Sequence, residues 1–286
     1  MEWKGRRTST NVEDKRKVST GTKVAGGGIG AALIAAIVMM MTGNFNISSL
    51  LNIFMSNAGT TQSVSYKSPY TEEQEAEMVE FCGVILAETE DVWGAEFQKM
   101  GRTYKQPKME IFSGATQSAC GNATYQSGPF YCSGDQKVYL DLEFFYELDT
   151  KYAKGEFPRA YVIAHEIGHH VQNQLGTLQQ VHNRYGQKDY NQMSVRLELQ
   201  ADFYAGVWAS KSKHNLKLTD ADIRDALNAA SAIGDDKLQK QAQGYAVPDS
   251  FTHGTSEQRM RWFKLGYDTG DMKVGDQCFS LPYNKL

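Results

Sequence analysis

The chain has 286 residues, of which 41% are hydrophobic, 11% aromatic and 22% charged, and its formal net charge is −3. This composition excludes a disordered polymer, a fibrous repeat and a membrane protein with many spans. The charge is unevenly distributed, because residues 1–23 carry +4, residues 24–66 carry none and residues 67–286 carry −7. An acidic main body disfavours a nucleic-acid partner, since a phosphate backbone binds to a basic surface.

The uncharged block contains a candidate membrane helix. Val24 to Thr42 is a run of 19 residues without a charge. At about 1.5 Å per residue, a helix of this length just spans the roughly 30 Å hydrocarbon core. A buried core helix is one alternative, which the four glycines near its start disfavour. A cleaved signal peptide is another, but the basic region is long and no A-x-A site follows. We therefore predict an uncleaved transmembrane helix at residues 24–42.

The flanking charges predict the orientation of a single-pass membrane protein. The basic arm, residues 1–23, is expected to stay in the cytoplasm. The rest of the chain would then lie on the periplasmic or extracellular side. Residues 43–68 are rich in Asn, Ser and Thr and are interpreted as a linker. Residues 69–286 are predicted to form one domain, which is long enough to bury a sizeable core.

The four cysteines, Cys82, Cys120, Cys132 and Cys278, all lie in this domain. An even number of cysteines on the outer side of a membrane suggests disulfides. Cys120 and Cys132 flank a Gly- and Asn-rich stretch, which favours a bridge between them and leaves Cys82 to pair with Cys278. Four reduced, buried thiols are the alternative. No C-x-x-C spacing occurs, so a cysteine zinc site is not expected.

Local patterns predict the order of the elements. A capping box at Thr71 begins a long amphipathic helix. Residues 107–140 are rich in glycine and β-formers and are predicted to form a small sheet. Helices then follow at residues 158–175, at 192–212, from Thr219 to Gly234, in a short segment ending at Gly244, and from Thr255 or Ser256 to Gly266. Strands followed by helices indicate an α+β fold.

The second predicted helix carries the strongest chemical signal, the sequence AHEIGHH at residues 164–170. Four residues turn a helix by about 400°, so His165 and His169 project from one face, as two ligands of one Zn²⁺ require. Glu166 follows the first histidine and can reach a metal-bound water. His170 lies about 140° round the helix from His165. We therefore predict that His170 supports the site or faces solvent and is not a ligand.

A zinc hydrolase needs a third protein ligand. The extended pattern H-E-x-x-H-x-x-G-x-x-H fails, because the chain has Gln172 and Leu175 where Gly and His are required. A glutamate from the following helix is the other source. Glu198 and Asp202 share a helix face, so we expect Glu198 to bind the metal and Asp202 to accept the N–H of a ligating histidine. A solvated acidic pair is the alternative, which the apolar residues around them disfavour.

The chemistry of such a site assigns further roles. Glu166 is expected to act as general base on the attacking water. The tetrahedral oxyanion needs a donor besides zinc, and His253, at a loop–helix junction, is the best candidate, with Arg259 and Tyr204 as rivals. Capping or packing of the last helix is the alternative role of His253. The strand at residues 138–140 either pairs with an extended substrate or lies inside the sheet.

Several long motifs in fixed order resemble the bacterial membrane-anchored neutral zinc metallopeptidase family. They are WKGRRTSTNVED, the glycine-rich apolar segment, ACGNA…GPFYC, VYLDLEFF, AHEIGHHVQ, RLELQADFYAGVWA and HGTSEQRMRWFKLG. The resemblance implies a zincin-like fold and a peptidase acting on proteins or peptides. It also implies one Zn²⁺ held by His165, His169 and Glu198, with Glu166 as base. Phe203, where relatives often have Cys, departs from the pattern but touches none of these roles.

Two functional hypotheses of different class follow. The first is a membrane-anchored zinc peptidase, and the second is a non-catalytic anchored module of zincin fold whose zinc is structural. Glu166 favours the enzyme, because a structural site has no use for a carboxylate beside an open water position. A zinc hydrolase that does not act on peptides is a third possibility.

Overall fold

The computed structural model describes residues 1–16, 68–124 and 127–286. Its strands are β1 (Val12–Asp14), β2 (Lys108–Phe112), β3 (Ala115–Ser118), β4 (Gly121–Thr124), β5 (Phe130–Cys132) and β6 (Lys137–Asp141). Its α-helices are α1 (Glu72–Lys99), α2 (Leu142–Glu147), α3 (Glu156–Leu175), α4 (Thr177–His182), α5 (Tyr190–Ser212), α6 (Asp220–Ala232), α7 (Asp235–Gln243), α8 (Ser256–Thr269) and α9 (Gln277–Ser280). The predicted α+β class, with a small sheet and many helices, is confirmed.

The predicted membrane helix at residues 24–42 lies outside the described residues, as does nearly all of the predicted linker. Within the three described ranges, no helix combines the length and the apolar character needed to cross a bilayer.

The strands form one sheet and one separate hairpin. The sheet has the order β1-β2-β6-β5, in which β1, β2 and β6 are parallel and β5 is an antiparallel edge strand. The hairpin consists of β3 and β4. Because β6 lies between β2 and β5, the strand at residues 138–140 is internal. The edge strand that contacts α3 is β5.

Residues 1–16 pack onto the domain, whereas the sequence suggested a separate basic arm. Strand β1 lies at the other edge of the sheet, with Val12 opposite Met109 of β2. Trp3 is only 3% exposed and packs edge-on against Phe81 of α1, with ring centroids 5.3 Å apart. Its indole N–H donates a hydrogen bond to Glu156. The predicted domain boundary at residue 69 therefore omits a strand of its own sheet.

The cations of this N-terminal segment bind carboxylates of the domain. Arg7 lies 3.1 Å from Glu90, and Lys15 lies 2.6 Å from Glu110. Both glutamates are at least 97% buried. A buried carboxylate needs a partner, because its desolvation is otherwise uncompensated. The positive charges that suggested a cytoplasmic arm therefore contribute to docking the segment on the domain.

Helices α5 and α8 cross in close contact at two glycines. A Cβ atom on Gly206 would lie 2.0 Å from the carbonyl oxygen of Phe263, and one on Gly266 would lie 2.0 Å from that of Phe203. The sequence suggested that Gly266 ends the last helix. Instead, α8 continues to Thr269 and ends at Gly270, which has a φ of +56°. Gly266 thus serves helix packing.

Gly206→Ala is expected to lower the free energy of unfolding by about 1–3 kcal/mol, because its methyl group would push two helix backbones apart. Gly94→Ala in α1 is the matched control, since a Cβ there meets nothing within 4 Å. The control is expected to gain up to about 1 kcal/mol from higher helix propensity. Denaturant unfolding of both variants measures the difference, and equal effects would contradict the close contact.

One of the two predicted disulfides is present. Cys120, in the turn between β3 and β4, is bonded to Cys132 of β5. The expected pairing of Cys82 with Cys278 is not formed, and both are free, buried thiols. Cys82 lies inside the core on α1, while Cys278 lies on α9, which packs against α5. Each fills the core as a small apolar group, and burial raises the pKa of both thiols.

Candidate metal centre

Helix α3 presents the two histidines of the sequence motif. It is anchored by the buried residues 160–164 and ends at Gly176, whose φ of +87° suits a left-handed cap. Gly168 lies against α5, where its Cβ would meet the Ala201 carbonyl oxygen at 3.0 Å. This close approach brings Glu198 of α5 to the histidine face of α3.

Three potential ligands converge between these helices. The carboxylate of Glu198 faces both imidazoles, with Oε2 lying 3.3 Å from Nε2 of His165 and Oε1 lying 3.4 Å from Nε2 of His169. The ligand atoms of the three residues all lie within 4.8 Å of one another. Two imidazole nitrogens and one carboxylate oxygen form a donor set that zinc hydrolases use. The residues present therefore fit a zinc ion.

Asp202 lies one turn further along α5 and holds His165 in place. Its Oδ1 lies 2.8 Å from Nδ1 of His165 and accepts a hydrogen bond of 2.5 Å from the hydroxyl of Tyr161. Arg259 of α8 donates to both oxygens of the carboxylate. With Asp202 accepting at Nδ1, the Nε2 atom of His165 is the nitrogen directed to the metal position.

The pKa shifts of this cluster keep Glu198 and Asp202 charged, whereas His165 holds a proton that a metal ion would have to displace. Burial alone would raise the pKa of Glu198, but His169 and His165 hold it well below its usual range. Burial would lower the pKa of His165, but Asp202 and Glu198 raise it to about 10. Burial opposes ionisation of Asp202 too, yet Arg259 and His165 lower its pKa to about 2. The carboxylates are therefore ionised, and the site attracts positive charge.

Glu166 points from α3 toward an open cleft beside the three ligands. It is 9% exposed, and burial raises its pKa above the ordinary range for a glutamate. The backbone of Tyr131, on the edge strand β5, partly opposes this rise in pKa. A carboxylate with a raised pKa is suited to accept and return a proton near neutral pH.

The cleft has a volume of about 870 Å³ and is lined by residues from β5 and from helices on both sides of the ligands. Apolar and aromatic side chains supply most of its wall, among them Phe130, Phe144, Val162, Leu178, Leu197 and Leu238. Among the described lining residues, the acidic and basic side chains are Glu166, Glu198, Arg259 and the histidines at 165, 169, 182 and 253, and Arg259 is paired with Asp202. The cleft therefore suits a chain with neutral side chains.

His253 lies on the same cleft, in the loop before α8. Its Nδ1 lies 3.2 Å from Oδ1 of Asp235, whose other oxygen accepts the backbone N–H of His253 at 2.7 Å. Because Nδ1 faces Asp235, Nε2 is the nitrogen available to a bound substrate. Burial would lower the pKa of His253, but Asp235 raises it. The two rival donors are engaged elsewhere, Arg259 with Asp202 and Tyr204 in the core beside Trp93.

His170 takes no part in the ligand cluster. It is fully buried, its Nδ1 lies 2.9 Å from the hydroxyl of Tyr131, and its Nε2 lies 2.6 Å from the carbonyl oxygen of Lys105. Burial lowers the pKa of His170 to about 4, so the ring is neutral. It fastens α3 to β5 and to the segment before β2.

Two residues that support the site, Asp235 and Gln172, were not predicted from the sequence. Asp235 lies 18 residues before His253, so no local spacing links them. Gln172 was considered only as a failed position of the extended zinc motif. Gln172 follows His169 by three residues, and this spacing on a helix predicts that the two side chains share a face and can form a hydrogen bond.

Two histidines one helical turn apart on α3, a glutamate from α5 and a second glutamate beside them on a cleft are the arrangement of a metal-dependent hydrolase. The family described as "Putative neutral zinc metallopeptidase" matches residues 1–279. The chain belongs to this family.

Relatives of similar length occur in bacteria. "Uncharacterized protein YpfJ" of Escherichia coli strain K12 is 46% identical over 280 residues, which cover 95% of this chain and 96% of the relative. "Uncharacterized protein Rv2575" of Mycobacterium tuberculosis is 45% identical over 185 residues, or 60% of this chain and 62% of the relative. No solved structure matches the chain.

Proposed function

We propose that the protein is a zinc-dependent peptidase that hydrolyses peptide bonds in the cleft between β5 and the helices. The observation that carries this proposal is the position of Glu166, a buried carboxylate of raised pKa that lines the cleft beside the donors of His165, His169 and Glu198. A purely structural metal site needs no such group. Membership of a zinc metallopeptidase family supports the same reading.

Each residue of the site has a separate role in the proposed hydrolysis. His165, His169 and Glu198 would hold zinc, which when bound lowers the pKa of water and polarises a carbonyl. Asp202 keeps His165 in the tautomer that binds metal. Glu166 takes a proton from the attacking water and returns it to the leaving amine. His253 donates through Nε2 to the oxygen on which negative charge develops.

The substrate is an extended peptide with neutral side chains near the scissile bond. Strand β5 is an edge strand beside Glu166, so a substrate can add to it as a further strand. The apolar wall of the cleft offers no unpaired charge outside the catalytic residues in the described part of the chain. Incubating a peptide mixture with wild type and with Glu166→Gln, then identifying new N-termini by mass spectrometry, tests the proposal. Wild-type-specific ends flanked by apolar residues are expected.

We place the domain outside the cytoplasm, in an oxidising compartment. The Cys120–Cys132 disulfide supports this placement, because such bonds persist where thiols are not kept reduced. Attachment to the membrane through residues 24–42 remains a prediction from the sequence.

Asp235→Asn is expected to move the alkaline limb of the kcat–pH profile to lower pH. Asp235 raises the pKa of His253, so the donating imidazolium persists above the usual range and is lost as pH rises through that raised pKa. Asn retains an acceptor oxygen but removes the negative charge, so the pKa of His253 falls. Zinc content should stay constant. Identical alkaline limbs in variant and wild type would remove His253 from the reaction.

A further inference from the structure

Gln172 lies on α3 three residues after His169 and shares its helix face. The side chain is completely buried, and its Oε1 lies 2.9 Å from Nδ1 of His169. An amide oxygen can only accept, so the proton of His169 sits on Nδ1. The Nε2 atom of His169 is then left to face Glu198, 3.4 Å away.

The other end of the amide fixes its orientation. Nε2 of Gln172 donates to the carbonyl oxygen of Leu197 at 2.7 Å and to Oε1 of Gln200 at 3.1 Å. Gln200 is also fully buried, and its own Nε2 donates to the carbonyl oxygen of Gly275 at 3.3 Å. If the amide of Gln172 were flipped, its oxygen would face the carbonyl oxygen of Leu197, and that carbonyl would have no hydrogen-bond donor from Gln172. The hydrogen bonds therefore allow one orientation.

Leu197 immediately precedes Glu198, so this single amide contacts one ligand directly and holds the backbone next to another. We propose that Gln172 is the positioning residue that aligns His169 on α3 with Glu198 on α5. The proposal rests on the zinc site of the proposed function. A glutamate at 172 would accept from His169 but would lack the donors for Leu197 and Gln200.

The test is the zinc affinity of the full chain, measured by competition with a chromophoric chelator. Gln172→Met keeps the length of the side chain and removes both polar ends. Its zinc Kd is expected to rise about 10–100-fold, as for other residues that orient a ligand. Gln172→Glu keeps the acceptor and loses the donors, so a smaller rise is expected. Gln180→Met, at an exposed position of α4, is the matched control and should leave the Kd unchanged.

A second measurement separates positioning from a loss of packing. The visible spectrum of the Co²⁺-substituted protein reports ligand geometry, and it should change in Gln172→Met and Gln172→Glu but not in Gln180→Met. An unchanged Kd and spectrum in both Gln172 variants, while His169→Ala loses zinc, would overturn the proposal and leave the zinc site intact. Retention of zinc by His169→Ala would instead overturn the site itself.

Discussion

Glu166→Gln is expected to reduce peptide cleavage by about 10²–10⁴-fold, the usual contribution of a general base. Glutamine has nearly the same size but cannot take a proton from the attacking water. His165, His169 and Glu198 are unchanged, so zinc content should match that of wild type. Steady-state cleavage of one quenched fluorescent peptide, identified from the wild-type digest, measures the effect, with zinc determined by elemental analysis.

The matched control for this experiment is Glu257→Gln, an exposed glutamate in the first turn of α8. It makes the same chemical change away from the cleft and should leave kcat within about twofold. If Glu166→Gln cleaves as fast as this control, the peptidase proposal fails. A non-catalytic binding module with structural zinc would then be the better reading of the site.

Removal of one ligand is expected to have the second large effect. His165→Ala and His169→Ala should each abolish zinc binding at micromolar protein concentration, because two remaining donors do not form a zinc hydrolase site. Glu198→Ala should weaken binding strongly, and Asp202→Asn should cost about 10–100-fold in zinc affinity. Equilibrium dialysis followed by elemental analysis measures both the stoichiometry and the affinity, with one zinc per wild-type chain expected.

His214→Ala is the control for these variants, since His214 is an exposed histidine beyond the end of α5. Its zinc content should equal that of wild type. Full zinc occupancy in Glu198→Ala would show that Glu198 is not a ligand. An unchanged zinc affinity in Asp202→Asn would show that Asp202 does not orient His165.

The ligand cluster was accessible to sequence reasoning because its signals are local. His165, Glu166 and His169 lie within one helical turn, and the i, i+4 spacing of Glu198 and Asp202 placed both on one face of the next helix. The resemblance to a metallopeptidase family pointed to the same residues. Helix ends were predicted well where a capping box or a terminal glycine was present, as at Thr71 and Gly176.

Interactions between distant segments were not accessible in the same way. A glycine after a run of helical residues, such as Gly266, usually predicts a helix end. Here glycine is needed because the backbone of Phe203, on another helix, leaves no room for a Cβ atom. The carboxylate of Asp235 and the amide of Gln172 acquire their roles from partners brought together only by the fold. Cys82 and Cys278 were predicted to pair because they were the two cysteines left over. A free cysteine can instead pack in the core as a small apolar side chain, as both do here.

The position of β1 constrains how the chain can meet a membrane. Residues before 17 and after 67 belong to one folded body, and Arg16 lies 2.6 Å from Glu75 in the first turn of α1. The β1–β2 ladder requires residues 1–16 and the other strands of the sheet to lie on the same side of any membrane. A single crossing would put the first strand and the rest of its sheet on opposite sides of the bilayer.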